Sequence, residues 1–390
     1  MKAILIGNRE RFEKFYPDTP FANAVEKVYF SLEQARALGE IPLETQSAKK
    51  SPSGECDEGK TLAEAQPARE SSAEARPAGE ASAEAQPARE SSAEIQSAKL
   101  LAEARDAEFL AADAIAQVPE SLIAQLPFLK IIHSEGVAYN GIDCGAAARR
   151  NIYVCNNRGI NADAVAEQTI LLMLGLLRGV TAGDAAVRAG NQIRRKEYMM
   201  VNGIRELGEC RIGLLGFGDI AKATARRLSA FGCEVCYHAT RRKTPNLEAE
   251  YGVTWLESDE LLETSDIISL HIPVTPETTG MVNEEFLKRM RRDAFLINTS
   301  RGEIVENAAL CKALMEGWIA GAGLDTVAPE PVAADHPLLH LPAEASGRLL
   351  FSPHIGGVTT GVFRKAHRNI WTAFEQVSKG ERPVNVVNGV

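Results

Sequence analysis

The chain has 390 residues, of which 45% are hydrophobic and 24% are charged. This length predicts two or three domains, and the composition is typical of a folded protein with sizeable apolar cores. The net charge of -9 argues against a broad nucleic-acid-binding surface, because phosphate backbones select for clustered Lys and Arg. We therefore expect a small-molecule ligand and no nucleic-acid partner.

The first ten residues, MKAILIGNRE, lack the charged segment and long apolar stretch of a secretory signal. Seven cysteines are scattered along the chain, which is typical of a cytoplasmic protein with free thiols. Cys233 and Cys236 form a CxxC pair inside the apolar stretch FGCEVCYH. Because no second CxxC or histidine pair accompanies them, we expect strand packing there and no metal site.

Apolar, β-rich runs alternate with polar or helix-forming stretches over the first 157 residues, and this alternation predicts a parallel sheet. The predicted strands are Lys2–Ile6, Lys27–Phe30, Phe109–Ile115, Leu129–His133 and Ile152–Cys155.

A low-complexity insertion interrupts this series at residues 42–98, where a ten-residue unit recurs as TLAEAQPARE, SSAEARPAGE, ASAEAQPARE and SSAEIQSAKL. No aromatic residue occurs between Phe30 and Phe109, so the segment cannot bury enough apolar surface to offset its ordering entropy. We interpret it as a mobile insertion, and deletion of residues 45–97 is expected to leave folding and turnover nearly intact. A partner-docking arm is the alternative.

The apolar segment from Ala164 to Val180 raises the question of a membrane span. Glu167, Gln168 and Arg178 interrupt it, and it is shorter than the roughly 20 residues that a span requires. We expect a buried helix with Asn161 as its N-cap, and no membrane association.

A second series of strands begins at Arg211 and indicates a separate doubly wound unit. The further strands predicted for it are Glu234–Tyr237, Ile267–His271, Ala294–Asn298 and Gly321–Asp325.

A glycine-rich turn, LLGFGDIA, lies between the first strand of that unit and an Ala-rich stretch. Gly216, Gly218 and Ala221 give a GxGxxA pattern, in which the first glycine permits a tight turn and the second lets backbone approach a pyrophosphate. The N-terminus of the following helix attracts the same negative charge. This setting favours a dinucleotide site over a simple packing turn.

The end of the next strand, CYHATRRKTP, bears on the type of dinucleotide. An Asp or Glu is expected there if the ribose belongs to NAD, but the sequence offers Ala239, Thr240, Arg241 and Arg242. Two guanidiniums and a hydroxyl can bind a 2′-phosphate. NADP(H) is therefore favoured over NAD(H), with a solvated surface run of arginines as the alternative.

Arg301, Glu330 and His354 stand in the settings NTSRGEIV, GLDTVAPEP and SPHIGG. A cation that grips a carboxylate, an imidazole that moves a proton and a carboxylate that tunes it are the groups needed to reduce a small 2-oxo acid. Singly, such residues are more often ion pairs or structural donors. Together, at the ends of successive elements of a nucleotide-binding unit, they favour catalysis.

Outside the insertion, the chain resembles the D-isomer-specific 2-hydroxyacid dehydrogenases. The resemblance is carried in order by HSEGVAYNGID, GINADAVAEQT, LLGFGDIA, HIPVTPETTGMVN, LINTSRGEIVEN, GLDTVAPEP and SPHIGG. It implies an α/β fold of two Rossmann-like domains with doubly wound parallel sheets. These are a flavodoxin-like substrate domain at 1–157, completed by 358–390, and an NAD(P)-binding domain at 158–357. It also implies a homodimer.

The resemblance implies a role for each chemical group. Arg301 pairs with the substrate carboxylate and polarises the 2-oxo group, His354 is the acid/base, and Glu330 favours the imidazolium and orients the ring. Further implied contacts are Gly136 and Val137 with the substrate carboxylate, Asp219 and Ile220 with the pyrophosphate, Ile272, Pro273 and Thr278 with the adenosine, and Thr299 and Asp325 with the nicotinamide. For Ile272, Pro273 and Thr278, loop packing is the alternative.

The expected reaction is NADPH-dependent reduction of a small 2-oxo acid to the (R)-2-hydroxy acid, and glyoxylate or hydroxypyruvate is the leading substrate. Thr326 and Val327 stand where the family commonly has a bulky aromatic residue, which leaves the substrate open, with D-lactate or phosphoglycerate dehydrogenase as alternatives. The chain ends soon after a predicted helix at 366–379, which weakens the phosphoglycerate assignment. A dinucleotide-binding corepressor-like scaffold of the same fold is the alternative from another class.

Overall fold

The computed structural model describes residues 1–39 and 99–390. The predicted insertion at 42–98 lies outside the described residues, so its interpretation stays a prediction. The described chain forms two parallel β-sheets, and each sheet has an apolar core on both of its faces. This arrangement is the two-sheet α/β fold that the alternating pattern predicts.

The first sheet has five parallel strands in the order β2-β1-β3-β4-β5. Its strands are β1 (Lys2–Ile6), β2 (Glu26–Phe30), β3 (Phe109–Ala112), β4 (Ile131–Ser134) and β5 (Tyr153–Cys155). Side chains of β1 alternate between the two faces, with Ile4 in one core and Leu5 in the other. Burial on both faces explains why this strand is an unbroken apolar run.

The second sheet has seven parallel strands in the order β12-β11-β10-β9-β6-β7-β8. They are β6 (Arg211–Leu215), β7 (Glu234–His238), β8 (Val253–Trp255), β9 (Ile267–Leu270), β10 (Phe295–Asn298), β11 (Gly321–Leu324) and β12 (Leu349–Phe351). From β6 the chain adds β7 and β8 toward one edge, and it then crosses back to add β9 to β12 on the other side of β6. Sheets of this class bind dinucleotides at the crevice between the two starting strands, here β6 and β9.

Fifteen helices are labelled along the described chain, and residues 99–104 are also helical. They are α1 (Arg9–Lys14), α2 (Pro20–Ala24), α3 (Leu32–Gly39), α4 (Glu120–Ala124), α5 (Cys144–Arg149), α6 (Ala162–Leu177), α7 (Val180–Arg188), α8 (Gln192–Asn202), α9 (Asp219–Ala230), α10 (Pro245–Tyr251), α11 (Ser258–Thr264), α12 (Glu284–Arg289), α13 (Asn307–Glu316), α14 (Ala343–Ser346) and α15 (Thr360–Ser378).

The strands differ from their predicted bounds in a few places. β3 ends at Ala112, so the predicted extension to Ile115 is wrong, and the Ile115 side chain is 72% exposed. Sequence analysis also missed β8 and β12, which have only three residues each. Of the CxxC pair, Cys236 lies buried in β7 and Cys233 precedes the strand.

The apolar segment near Ala164 forms the buried helix that the sequence predicts. Helix α6 packs against α9 and against β10 and β11. Asn161 occupies the N-cap position, but its side chain makes no capping hydrogen bond. In the described part of the chain, no single helix is long and apolar enough to cross a membrane, although α6 and α7 together, bent by 57°, meet the length and composition criteria.

The last helix returns the chain to the first sheet. Thr359 caps α15 by accepting a hydrogen bond from the Val362 N–H. Ile370, Trp371 and Phe374 then pack with Leu5 against one face of that sheet. This spacing of three and four residues gives the helix one apolar face. Packing of that face on the first sheet leaves the start of α15, at Val362 and Phe363, beside a cleft.

Candidate active site

A cleft of ≈ 370 Å³ opens where the carboxyl ends of strands from both sheets meet. Ligands bind at the carboxyl ends of strands in sheets of this class. The cleft is lined by loops that follow β3, β4, β10, β11 and β12. Seven of the residues singled out from the sequence line it: Gly136, Val137, Ile220, Thr299, Arg301, Asp325 and His354.

His354 and Glu330 form a hydrogen-bonded pair. Nδ1 of His354 lies 2.8 Å from Oε2 of Glu330, and each side chain is 44% exposed. Because the carboxylate can only accept, the proton on this edge of the ring belongs to Nδ1. Nε2 is then the nitrogen that can exchange a proton with a ligand.

The loop that carries His354 is held by a buried carboxylate. Asp325 is 3% exposed and accepts hydrogen bonds from the Ser352 hydroxyl, the Ile355 N–H at 3.1 Å and the Gly356 N–H at 2.8 Å. His354 has a φ of 56°, in the left-handed region that non-glycine residues rarely adopt. The bonds to Asp325 on both sides of the histidine hold this conformation, and such backbone strain is concentrated at functional sites.

Arg301 stands in a tight turn after β10. Its Nη1 donates to the Ser300 carbonyl at 2.7 Å, while Asn298 donates to the Arg301 carbonyl at 2.8 Å. A Cβ on Gly302 would lie 2.1 Å from the Ala328 backbone nitrogen, so only glycine permits this close approach to the segment that leads to Glu330. The turn thereby fixes the arginine backbone while leaving most guanidinium donors available to a ligand.

The loop after β4 presents backbone amides to the cleft. Asn156 donates to the Val137 carbonyl at 2.7 Å, and the Asn157 N–H donates to the Gly136 carbonyl at 2.9 Å. The Gly136 N–H makes a long bond of 3.3 Å to the Ser134 hydroxyl. Within the described residues, the N–H groups of Val137 and Ala138 have no hydrogen-bond partner. Two adjacent free amides can bind a carboxylate.

The glycine turn fits a dinucleotide pyrophosphate. Gly216 has a φ of 96°, and a Cβ there would lie 2.3 Å from the His271 carbonyl oxygen. The space beside Gly218 is open, with no atom within 4 Å of the Cβ position. Gly218 is the N-cap of the 12-residue helix α9, with Asp219 at its first position. A tight turn, open space and a helix N-terminus are the features that bind a pyrophosphate.

The two arginines after β7 differ in their surroundings. Arg242 forms a two-pronged ion pair with Glu248, at 2.9 Å for both bonds, and Glu248 also accepts from the Tyr237 hydroxyl at 2.8 Å. This arginine holds the pKa of Glu248 below its usual value. Arg241 and Thr240 are exposed, and no side-chain bond of Arg241 occurs in the described structure. The free guanidinium is therefore that of Arg241.

The remaining singled-out residues have partners within their own loops or helices. The Thr278 hydroxyl donates to the Pro273 carbonyl at 2.7 Å and accepts from the Thr275 N–H, so it closes the loop after β9. Ile272 lies beside Gly216. The Thr299 hydroxyl is 2.9 Å from that of Thr169 in α6, which links the loop after β10 to a buried helix.

Four charged or aromatic residues of the cleft were missed from the sequence: Arg11, Asp113, Glu135 and Phe363. Asp113 and Glu135 directly follow β3 and β4, and a polar residue after a buried parallel strand is the signal that points to them. Arg11 and Phe363 lie on helices and gave no such signal. In residues 1–39 and 99–390, no group of three His, Cys, Asp or Glu side chains is placed to hold a metal ion.

Comparison with known proteins identifies the family. The model of the "D-isomer specific 2-hydroxyacid dehydrogenase, NAD binding domain" matches residues 170–356. A glyoxylate reductase of Thermococcus litoralis is 39% identical over 297 residues, covering 74% of this chain and 86% of that protein. The crystal structure of a D-lactate dehydrogenase of Aquifex aeolicus, complexed with NAD and lactic acid, is 28% identical, with a TM-score of 0.61 over 72% of this chain and 86% of that one.

A further structure shows the fold alone. The D-lactate dehydrogenase of Lactobacillus jensenii with NAD+ is 22% identical and has a TM-score of 0.70 over 99% of both chains.

The fold and site thus define a two-domain oxidoreductase with a nicotinamide dinucleotide cofactor. The chain belongs to the D-isomer-specific 2-hydroxyacid dehydrogenases and acts on a CH–OH group. The family and the α/β fold expected from the sequence motifs are confirmed.

Proposed function

We propose that this protein uses NADPH to reduce a small 2-oxo acid to the 2-hydroxy acid: glyoxylate to glycolate, or hydroxypyruvate to the (R)-2-hydroxy acid. The observation that carries the proposal is the His354–Glu330 pair, with its 2.8 Å hydrogen bond, beside a cleft that also contains Arg301. A proton carrier and a cation for the substrate carboxylate are the two groups that this reduction requires from the protein.

His354 exchanges the proton. Since Nδ1 is bonded to Glu330, Nε2 donates a proton to the 2-oxo oxygen during reduction and accepts it back during oxidation. The Glu330 carboxylate stabilises the imidazolium by Coulomb attraction and fixes the plane of the ring. Reduction therefore begins from the protonated pair.

Arg301 and the loop after β4 hold the substrate. The guanidinium binds the substrate carboxylate and polarises the 2-oxo group, and the amides of Gly136 and Val137 bind the carboxylate from the other side. The free N–H of Ala138 is a third donor that the motif alone did not indicate. When bound, the dinucleotide supplies the hydride. Because the substrate carboxylate and the 2-oxo oxygen are both held, one face of the carbonyl carbon is turned toward the dinucleotide site.

We assign the dinucleotide contacts as follows. The turn at Gly216 and Gly218, with Asp219 and Ile220, binds the pyrophosphate. Ile272, Pro273 and Thr278 line the adenosine side, and Thr299 and Asp325 line the nicotinamide side. Asp325 can accept one further hydrogen bond at Oδ2, beside the one from Gly356.

The preference for NADP(H) rests on the segment after β7. No carboxylate stands at Ala239 or Thr240 to bind a ribose 2′-hydroxyl. Arg241 is the exposed guanidinium that can pair with a 2′-phosphate. Arg242 is paired with Glu248, so we assign it a structural role in holding the segment after β7. NAD(H) binding is then weaker.

A homodimer formed through the cofactor domain is also proposed. No residue of α7 or α8 is buried, yet the pair exposes large apolar side chains. Met200 is 73% exposed and Val201 is 85% exposed. An exposed apolar patch of this kind marks an interaction surface. We propose domain limits of 1–157 with 358–390 for the substrate domain and 158–357 for the cofactor domain.

A panel of initial rates tests the proposal. NADPH oxidation and, separately, NADH oxidation are followed with glyoxylate, hydroxypyruvate, pyruvate and phenylpyruvate. We expect turnover with the small acids, and higher kcat/KM for NADPH than for NADH. Fast turnover with pyruvate alone would favour a D-lactate dehydrogenase. Tight dinucleotide binding without turnover of any 2-oxo acid would overturn the reductase and favour the corepressor-like scaffold.

A further inference from the structure

A second group of charged side chains borders the cleft from the first sheet. Arg11, in α1, contacts two carboxylates: Nε donates to Glu135 Oε1 at 3.0 Å, and Nη2 donates both to Glu135 Oε2 at 2.5 Å and to Asp113 Oδ2. His367, in α15, contacts Glu135 Oε1 through Nε2 at 2.7 Å. We name these four residues the Arg11 cluster.

The Arg11 cluster lies where three strands of the first sheet end. Asp113 follows β3, Glu135 follows β4, and Arg11 lies on the helix after β1. β1 and β3 are neighbouring strands. The chain continues from β1 to β2 at one edge of the sheet and from β3 to β4 and β5 at the other edge. Ligands bind at the point where the strand order changes direction in this way. Arg11, Asp113 and Glu135 line the same cleft as Arg301 and His354. The cluster therefore borders the substrate.

Buried neighbours hold Arg11 in one orientation. Glu135 and His367 are 5% and 1% exposed, so the carboxylate that anchors the guanidinium is shielded from water. The Phe363 ring lies 5.2 Å from the guanidinium carbon of Arg11 and borders the cleft. Nδ1 of His367 is buried without a partner in the described residues, so the Nε2 contact with Glu135 is the polar contact that orients the ring.

Hydrogen-bonding capacity remains on the cluster after these contacts. No side chain in the described residues accepts from the two N–H groups on Nη1 of Arg11. Asp113 accepts from the Ile115 N–H at Oδ1 and from Arg11 at Oδ2, and each oxygen can accept once more. The wall of the cleft thus offers a donor next to an acceptor, which matches a hydroxyl group.

The charge of the cluster selects against a second anion. The guanidinium of Arg11 and the two carboxylates together carry a formal charge of about -1. A phosphate or second carboxylate at this wall would meet that negative charge in a partly buried cleft, where repulsion is only weakly screened. A neutral hydroxyl has no such penalty.

We propose that Arg11 and Asp113 bind a hydroxyl group on C3 of the substrate. Nη1 of Arg11 donates to the hydroxyl oxygen, and the hydroxyl donates to the Asp113 carboxylate. Glu135 and His367 are positioning residues for Arg11. This inference rests on the proposed reduction of a 2-oxo acid, and it names 3-hydroxy-2-oxo acids, of which hydroxypyruvate is the simplest, as the preferred class.

The test compares hydroxypyruvate with pyruvate, because the two differ only by the C3 hydroxyl. We expect wild-type kcat/KM for hydroxypyruvate to exceed that for pyruvate by about tenfold or more, and Arg11→Met and Asp113→Asn each to lower this ratio by about tenfold. Asp113→Asn also removes one negative charge, so kcat/KM for oxaloacetate should rise relative to that for pyruvate. General damage would lower all three substrates alike and leave the ratios unchanged.

Matched controls come from exposed residues of the same domain. Arg9→Met removes an arginine of α1 whose partner is the exposed Glu13, and Asp18→Asn removes an exposed carboxylate. Both should keep the wild-type ratio. If Arg11→Met does not fold, Asp113→Asn decides the matter. An unchanged ratio in Asp113→Asn, or a wild type without preference for hydroxypyruvate, overturns this inference while the reductase stands. A wild type that reduces no 2-oxo acid overturns the proposed function itself.

Discussion

Nδ1 of His354 and Oε2 of Glu330 are 2.8 Å apart, although 24 residues separate them in the chain. The turn at Gly302 packs against the segment before Glu330, and Asp325 holds the loop on both sides of His354. The pair is therefore assembled by the loops after three neighbouring strands, β10, β11 and β12. The geometry of the proposed proton-transfer pair therefore depends on the shape of the second sheet.

Replacing the carboxylate of this pair should impair reduction more than it impairs folding. In Glu330→Gln the amide still contacts the ring, but the Coulomb stabilisation of the imidazolium is lost. We expect kcat for reduction to fall by about tenfold or more at neutral pH, while the melting temperature stays close to that of the wild type. Steady-state rates and thermal unfolding measure the two effects. The exposed Glu344→Gln is the control, and a wild-type kcat in Glu330→Gln would refute the role.

The two glycines of the dinucleotide turn should respond differently to substitution. Gly216→Ala places a methyl against the His271 carbonyl at a φ of 96°, so the free energy of unfolding should fall by about 1–3 kcal/mol. No protein atom lies within 4 Å of the Cβ position of Gly218, so Gly218→Ala should fold normally yet weaken NADPH binding by about tenfold or more, because the methyl group enters the space for the pyrophosphate. Thermal unfolding and fluorescence titration separate the effects. Normal NADPH affinity in Gly218→Ala would contradict the assignment.

Substitution of Arg241 should change the affinity for NADPH, whereas substitution of Arg242 should change the stability of the fold. Arg241→Ala removes the free guanidinium, and we expect KM for NADPH to rise by about tenfold with little change for NADH. Arg242→Ala leaves the nearly buried Glu248 without its ion-pair partner, so its main effect should be a lower Tm. Equal loss of NADPH and NADH activity in Arg241→Ala would argue against recognition of a 2′-phosphate.

A buried histidine should make stability depend on pH. Burial lowers the pKa of His133 to about 4, from an ordinary value near 6.5. The unfolded chain therefore binds a proton below pH ~6.5 that the folded chain does not bind until about pH 4. The free energy of unfolding should fall by about 3 kcal/mol over this interval from His133 alone, and the lowered pKa of His271 acts with the same sign.

Denaturant unfolding at several pH values measures this dependence. His133→Gln should flatten the slope between pH ~4 and ~6.5, whereas the exposed His340→Gln should leave it unchanged. An equally steep slope in His133→Gln would mean that the proton uptake belongs to other groups.

The sequence predicted long, strongly patterned features best. β1 has the predicted bounds Lys2–Ile6 because burial on both faces keeps it continuously apolar. The three-residue strands β8 and β12 escaped prediction, because so short a run carries little periodicity. β5 is equally short but was found because it lies in the apolar run from Ile152 to Cys155. His354 and Arg301 were singled out because each stands in a family motif, and the structure places both beside the same cleft.

Residues that meet only through the fold were not predictable in the same way. Arg11, Asp113 and Glu135 come from three separate segments, and nothing in their local sequence states that the carboxyl ends of β1, β3 and β4 converge. Likewise, the sequence did not distinguish Arg241 from Arg242 as the partner of a 2′-phosphate. Only the position of Glu248, one turn into α10, distinguishes them.

The most direct test of the central claim is the rate of glyoxylate and hydroxypyruvate reduction by His354→Ala, measured beside its NADPH affinity. We predict a fall in kcat of about 10³-fold with the NADPH dissociation constant nearly unchanged. His340→Ala, which alters an exposed histidine bonded to the Ala334 carbonyl, should behave as wild type. Turnover by His354→Ala at the wild-type rate would contradict the account, because the proton would then come from another group.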